Sequence, residues 1–478
     1  MSLSILKRYP DTPALPFDVL LAIIDEVACT DDIYTLRSCS LLHHDLLPHC
    51  QKYLFETFDM RNGSPETEQY FFKFCTLLTK SPHLARYVHF LYMLYLNLAH
   101  VPIDESLPNQ PSTVYFLRSL TNVTAFGLHF TKMRWGNLGI GFQNEIRRII
   151  TQPCCEELML AGLDYIPRSV INNCRFVKAL SMTACSLECW NPERAVAATE
   201  NGTVTTIPES NWVHLKNAEF FNSEYLFESL YPCSSTLPIH LDFSNLKHLK
   251  VTLSPDTMEV VWKFIHFMSP TLVTLAINQT YRFEVLAEGI SEMTRYNGGC
   301  LTFEGSYQTL SPLSHLLRFS FSIILYDLDD HSEREHLFEL CTLLRTCPPS
   351  IRQICIKLDL YGCNTKDVDR FFFPPSSDDE EYEDDDGRPF LMGLDQTLSD
   401  QLLFPSLDFV EIGIVLEDDY ESDSDESIEE YSYEELLPLP LDEIRESARN
   451  MMQLTEQSLE DRVGLFVDVW VRERIASD

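Results

Sequence analysis

Apolar residues recur at helical spacing in the first 60 positions and at a different spacing afterwards. Val19, Leu20, Ile23, Ile24 and Val27 fall at offsets of one, three and four, which predicts an amphipathic helix. Pro16 suits its first turn, and Asp18 sits near the positive end of the helix dipole. Asp31 and Asp32 are N-cap candidates for a second helix, whose apolar face is Ile33, Leu36, Cys39 and Leu42. Pro48 can start a third helix carrying Tyr53, Leu54 and Phe58. A stretch of about 45 residues buries too little surface to stand alone, so it must pack on the rest of the chain or on a partner.

Beyond residue 80 the pattern becomes i, i+3, i+5. It runs Val123, Phe126, Leu128; Cys155, Leu158, Leu160; Val177, Leu180, Met182; Leu215, Ala218, Phe220; and Leu246, Leu249, Val251. It continues as Leu272, Leu275, Ile277; Leu316, Phe319, Phe321; Ile351, Ile354, Ile356; and Leu407, Val410, Ile412. Residues two apart share a face of a strand, so each triplet predicts a turn feeding a short strand with its first residue packed beneath the turn. Helical patterns at Phe142–Ile150, Thr257–Phe267 and Glu335–Leu344 fill gaps between triplets. Leu441–Leu454 is helix-like, and residues 463–471 fit a strand or a helix equally.

The opening segment, residues 13–58, begins Leu15-Pro16-Phe17-Asp18-Val19-Leu20 and resembles an F-box. That resemblance implies docking on the Skp-type adaptor of a cullin–RING ubiquitin ligase, with Leu15, Pro16, Val19, Leu20, Ile23, Leu36 and Leu42 facing the adaptor. Two features depart from the family pattern. Asp18 stands where Glu is usual, and His43-His44-Asp45-Leu46 replaces a more basic, tryptophan-containing segment.

The triplets resemble leucine-rich repeats, although their third residues lie 32, 22, 38, 31, 26, 44, 35 and 56 positions apart. The expected fold is therefore α/β: a three-helix F-box-like module, then an irregular leucine-rich-repeat solenoid with a parallel β-sheet over residues 81–478. Ser81–Val88 would lead into it. Met159, Ser181, Glu219, Lys250, Ala276, Ser320, Cys355 and Glu411 lie between anchors and should face away from the core. The charged ones are candidates for target contact.

Charge changes the picture at two places. Of a net charge of −36, Ser376–Asp386 carries eight acids and Glu417–Glu435 eleven, with no base in either. Such runs repel themselves, so residues 374–388 and 417–437 are expected to be disordered loops. They keep the chain soluble or contact basic partners such as histones. Ser376, Ser377 and Ser422 each have an acid three residues on, the pattern an acidophilic kinase reads. The acidic balance argues against nucleic acid as a direct ligand.

Other signals narrow the class. Met1–Tyr9 lacks the apolar core of a signal peptide, and Val88–Leu98 is too short for a membrane span, so a cytoplasmic or nuclear protein without membrane association is expected. Fifteen cysteines show no metal-ligand spacing and read as small buried hydrophobes, with no metal or cofactor implied. Gly136–Gly141 has the wrong order for a dinucleotide loop and lacks the Lys-Ser/Thr of a P-loop, which leaves a turn. Trp135 and Trp190 are partner anchors or buried loop staples. The expectation is a non-enzymatic substrate receptor that holds the adaptor, with its cullin scaffold, at one end and an unidentified target protein at the other. The alternatives are a repeat scaffold without ligase function, or an acidic binder of basic proteins.

Overall fold

The structure is a computed structural model. It describes residues 15–30, 32–60, 65–95, 108, 110–188, 213–223, 226–227, 241–253, 258–279, 309–325, 339–361, 390–417, 446, 450, 452, 455 and 465–472. The chain is α/β, built on parallel β-sheet, and divides into two compact units: residues 1–163 with 173–177, and residues 164–172 with 178–478.

The first unit opens with helices α1 (Phe17–Cys29), α2 (Ile33–Ser40) and α3 (Leu47–Leu54), followed by strand β1 (Thr57–Asp59). Then come α4 (Pro65–Lys80), a 3-10 turn at Pro82–Tyr87, β2 (Phe90–Tyr95), α5 (Pro111–Ser119) and β3 (Ala125–Arg134). A 3-10 turn at Trp135–Asn137, α6 (Ile140–Ile150) and β4 (Glu157–Asp164) complete it. The strands lie in the order β1-β2-β3-β4, and β1–β2 and β2–β3 pair in parallel.

Phe58 corrects one expectation. The third helix ends at Leu54, and Phe58 is a strand residue buried 4.3 Å from the Phe74 ring and 5.9 Å from that of Phe116. That aromatic cluster gains more from a strand at Phe58 than another helical turn could offer. Consequently the i, i+3, i+5 pattern starts two strands earlier than the sequence reading placed it. Val88 just ahead of β2 and Leu91 and Met93 on it are buried, as are Phe58 on β1 and Met60 just after it, with Phe55 half-buried before them.

The second unit contains α7 (Arg168–Asn172), β5 (Ala179–Thr183), β6 (Val213–His214), β7 (Asn217–Phe221), β8 (Leu241–Asp242) and β9 (His248–Leu253). After these come α8 (Met258–Phe267), β10 (Thr274–Gln279), β11 (Arg318–Leu325), β12 (Gln353–Tyr361), α9 (Phe390–Leu398), β13 (Phe409–Glu417) and β14 (Leu465–Arg472). Strand order is β5-β7-β9-β10-β11-β12-β13-β14, with β6 and β8 forming a separate parallel pair. Of the ambiguous residues 463–471, 465–471 are strand β14, and 463 and 464 lie outside the described residues.

Register explains the triplets. Leu180, Ala218, Leu249, Leu275, Phe319, Ile354, Val410 and Leu465 are successive parallel partners, one per strand. All are buried except half-buried Leu465. Met182, Phe220, Val251, Ile277, Phe321, Ile356, Ile412 and Val467 form the next row on the same face. Stacking identical faces lets each strand bury what it could not bury alone.

The first anchor of many triplets closes a turn. The amides of Val88, Cys155, Val177, Leu246, Leu316, Ile351 and Leu407 each donate to the carbonyl three residues back. In most of these turns the next two amides then share the carbonyl of the residue just ahead of the preceding strand, as Lys247 and His248 do with Lys216. This satisfies the backbone where the chain turns into the sheet. The helical segments expected at Phe142–Ile150 and Thr257–Phe267 are α6 and α8, and residues 339–344 are helical. Among the described residues no helix is long and apolar enough to cross a membrane.

Candidate interaction surfaces

The N-terminal helices build a small core of their own. Pro16 stands just ahead of α1, and its carbonyl accepts the amides of Val19 at 3.0 Å and Leu20 at 3.2 Å. Asp32 caps α2 by accepting the Thr35 amide at 3.0 Å. Ile24, Leu36, Leu46 and Cys50 are buried together, with Leu20, Leu21, Val27, Cys39, Tyr53 and Leu54 packed around them. Asp25 accepts a 2.6 Å bond from the Tyr53 hydroxyl and pairs with His49 Nε2 at 2.6 Å, which latches α1 to α3. These bonds, Tyr53 first, hold the Asp25 carboxyl below its ordinary range, and the same bond pushes the Tyr53 phenol up to about 12.

Among the described residues, this core leaves the other face of α1 uncovered. Leu15 is 57% exposed, Val19 40%, Ile23 46% and Leu42 74%, and Pro16 is exposed as well. Leu20 is half-buried against the core. Leu36 is corrected: at 3% exposure it is a core residue and has no surface to offer a partner. It lies inward because α2 turns its Leu36–Cys39 edge, and not Ile33, toward Ile24.

Sequence reasoning missed Phe17, Tyr34, Leu41 and Leu47, all exposed here. Ile33, read as part of the apolar face of α2, is exposed as well. Their signal was an apolar count too high for a module this small to bury. His43, His44 and Asp45 bring ligand atoms within 4.8 Å of one another on the same module. All three are exposed, and the Asp45 amide already donates to His43 Nδ1 at 3.3 Å.

The second unit carries a different kind of surface. Ser181, Glu219, Lys250, Ala276, Ser320, Cys355 and Glu411 are register partners in one row across β5 to β13. Each is half-buried while its neighbours on either side along the strand include a buried anchor, so the row faces away from the core. Met159, on β4 of the first unit, is likewise half-buried.

Polar members of this face pair with one another, across strands and along them. Lys250 Nζ lies 3.1 Å from the Glu219 carboxylate and 4.5 Å from the Phe221 ring centroid. Lys357 meets Asp359 at 2.7 Å, and Arg318 donates to Cys355 Sγ at 3.7 Å. Burial pushes the Cys355 thiol up, and does the same more strongly to Cys75 and Cys155, each to about 12, and to Cys341, to about 11. Thiols so raised are protonated at neutral pH and are weak nucleophiles and weak metal ligands.

Trp135 is a buried staple whose Nε1 donates to Gln143 at 3.1 Å. Gly136–Gly141 is the turn it closes, between β3 and the body of α6. Ser376, Ser377, Ser422, the two acidic runs apart from Glu417 at the end of β13, and Trp190 lie outside the described residues. No family model matches the chain, and no curated protein matches it in sequence.

Proposed function

We propose that the chain is a substrate-receptor subunit of an SCF-type cullin–RING ubiquitin ligase. The observation that carries this reading is the exposure of the Leu-Pro-led stripe, Leu15, Pro16, Val19 and Ile23, on helices whose other face has its own core. Several large apolar side chains left in water on so small a module mark a protein-binding surface. The F-box resemblance supplies the partner: a Skp-type adaptor, and through it the cullin. Leu42 and Phe17 are further exposed apolar side chains on the same module, and Leu36 lies in its core.

The repeated turn-and-strand units read as irregular leucine-rich repeats. They hold the target protein on the polar face, and no residue performs bond chemistry. The mechanism is scaffolding, in which proximity raises the effective concentration of target lysines near a ubiquitin-charged enzyme.

Affinity purification of the intact chain from cells tests this. Recovery of a Skp-type adaptor together with a cullin is the expected result. Recovery of neither contradicts the receptor and leaves the scaffold without ligase function.

A further inference from the structure

Where the strands of the second unit begin, the residue after each first anchor is aligned from strand to strand. The row reads Lys178, Lys216, Lys247, Val273, Leu317, Arg352 and Asp408, each linked to the next through the shared-carbonyl bonds of the turn. Three lysines therefore stand side by side, each immediately ahead of β5, β7 or β9. With parallel strands about 4.8 Å apart, they span about 10 Å. All three are exposed.

On a chain of net charge −36, such a run of cations is unusual. Asp408 is the one acid in the row, at its far end and 4.0 Å from Arg352. The neighbouring row, Ala179, Asn217, His248, Thr274, Arg318, Gln353 and Phe409, contains no acid.

The lysine row runs directly into an open groove of about 440 Å³ lined by Asn245, Lys247, Pro270, Val273, Leu317 and Ser350 among others. Leu317 is a large apolar side chain left exposed there. Cations and apolar groove are thus adjacent and in a fixed order.

We propose that this edge binds an extended acidic peptide. Its carboxylates lie over Lys178, Lys216 and Lys247, and the apolar side chain that follows them enters the groove between Pro270, Val273 and Leu317. An extended chain advances about 3.3 Å per residue, so three or four acidic residues cover the lysines before the apolar one reaches the groove. Lysines are flexible point charges, suited to carboxylates presented without fixed geometry. A nucleic-acid strand fits less well, because the basic row is short and most of its phosphates would face an acidic protein uncompensated. The proposal goes beyond adaptor docking and stands whether or not the helical module binds an adaptor.

The test is fluorescence anisotropy of the full-length chain with a labelled Glu-Asp-Glu-Asp-Leu-Phe peptide. Saturable binding that weakens with added salt is expected. The double variant Lys216→Glu/Lys247→Glu should lose more than tenfold in affinity, and Lys216→Gln/Lys247→Gln should lose less but measurably. Leu317→Asp should also lose more than tenfold, and melting temperatures should stay unchanged for all of these exposed positions. Absence of wild-type binding at millimolar chain overturns the proposal. So does equal binding by the charge-reversed variant, or tighter binding of a labelled hexathymidine than of the peptide.

Discussion

The Tyr53 hydroxyl donates a 2.6 Å hydrogen bond to Asp25, 28 positions earlier in the chain, and so ties the third helix to the first. Asp25 is half exposed, so solvent weakens the bond, and Tyr53→Phe should cost about 1 kcal/mol. Hydrogen exchange at neutral pH should show α1 and α3 amides exchanging about fivefold faster in the variant, by the same arithmetic. Unchanged exchange would mean that the latch contributes nothing.

The pH dependence of this latch has two arms. Asp25 is depressed below its ordinary 3.8, so its contribution is complete above that value and fades as pH falls through the lower folded one. Tyr53 is raised from 10.0 to about 12, so its contribution is complete below 10.0 and fades as pH rises through about 12. Protection in α1 should therefore be flat from about pH 4 to pH 10 and fall on either side, and Tyr53→Phe should abolish the alkaline arm. A wild-type loss centred near neutral pH would contradict the assignment.

Much of this architecture was legible in the sequence because the stacked strands repeat one local rule. Every residue of the nine triplets is buried, from Val123 to Ile412, as an i, i+3, i+5 spacing of turn anchor and two same-face strand positions requires. What the sequence could not show is which edge of a short helix turns inward. Leu36 and Leu42 are equivalent by periodicity, yet one is in the core and the other in water, because Ile24 and Cys50 come from helices the α2 pattern does not see. Phe58 failed for a similar reason: its ring neighbours lie on α4 and α5, well along the chain. The lysine row also escaped notice, as its members are 38 and 31 positions apart and meet only through strand register.

Adjacent residues on β9 should behave oppositely. Leu249 is buried among its register partners, and truncation to Ala should cost about 2–5 kcal/mol by leaving a cavity. Lys250 points the other way and pairs with Glu219 near water, so Lys250→Ala should cost less than about 1 kcal/mol. Urea denaturation of both variants checks the strand's orientation; a costlier change at Lys250 would reverse it.

Gly162 has a φ of +63°, and a Cβ there would lie 1.7 Å from the Phe130 carbonyl oxygen on β3. No side chain can yield, because the obstacle is backbone. Gly162→Ala should thus destabilise the first unit by at least about 2 kcal/mol, visible as a lower melting temperature. A melting temperature equal to wild type would show that β4 does not hold this close approach.

Glu145 on α6 is buried, yet Arg118 and Arg148 reach its carboxylate at 2.8 and 2.7 Å. Burial alone would raise its pKa, but the hydrogen bonds from Arg148 and Arg118 outweigh burial and hold it below the ordinary 4.5. Its contribution is therefore present above 4.5 and is lost as pH falls through the lower folded value. Glu145→Gln should cost about 1.5–3 kcal/mol at neutral pH and flatten the acid limb of a stability–pH curve. A variant with the wild-type acid limb would place that titration elsewhere.

The central claim is that an exposed apolar stripe on α1 docks an adaptor, and calorimetric titration of the full chain with a purified Skp-type adaptor tests it most directly. Each aliphatic side chain buried in the contact should contribute about 1.5–3 kcal/mol, and every 1.4 kcal/mol is about tenfold in affinity. Leu15→Ala/Pro16→Ala and, separately, Ile23→Asp should therefore weaken or abolish binding while the melting temperature holds, because these positions already face water. Binding of both variants at wild-type affinity, or no binding by the wild type, would contradict the account.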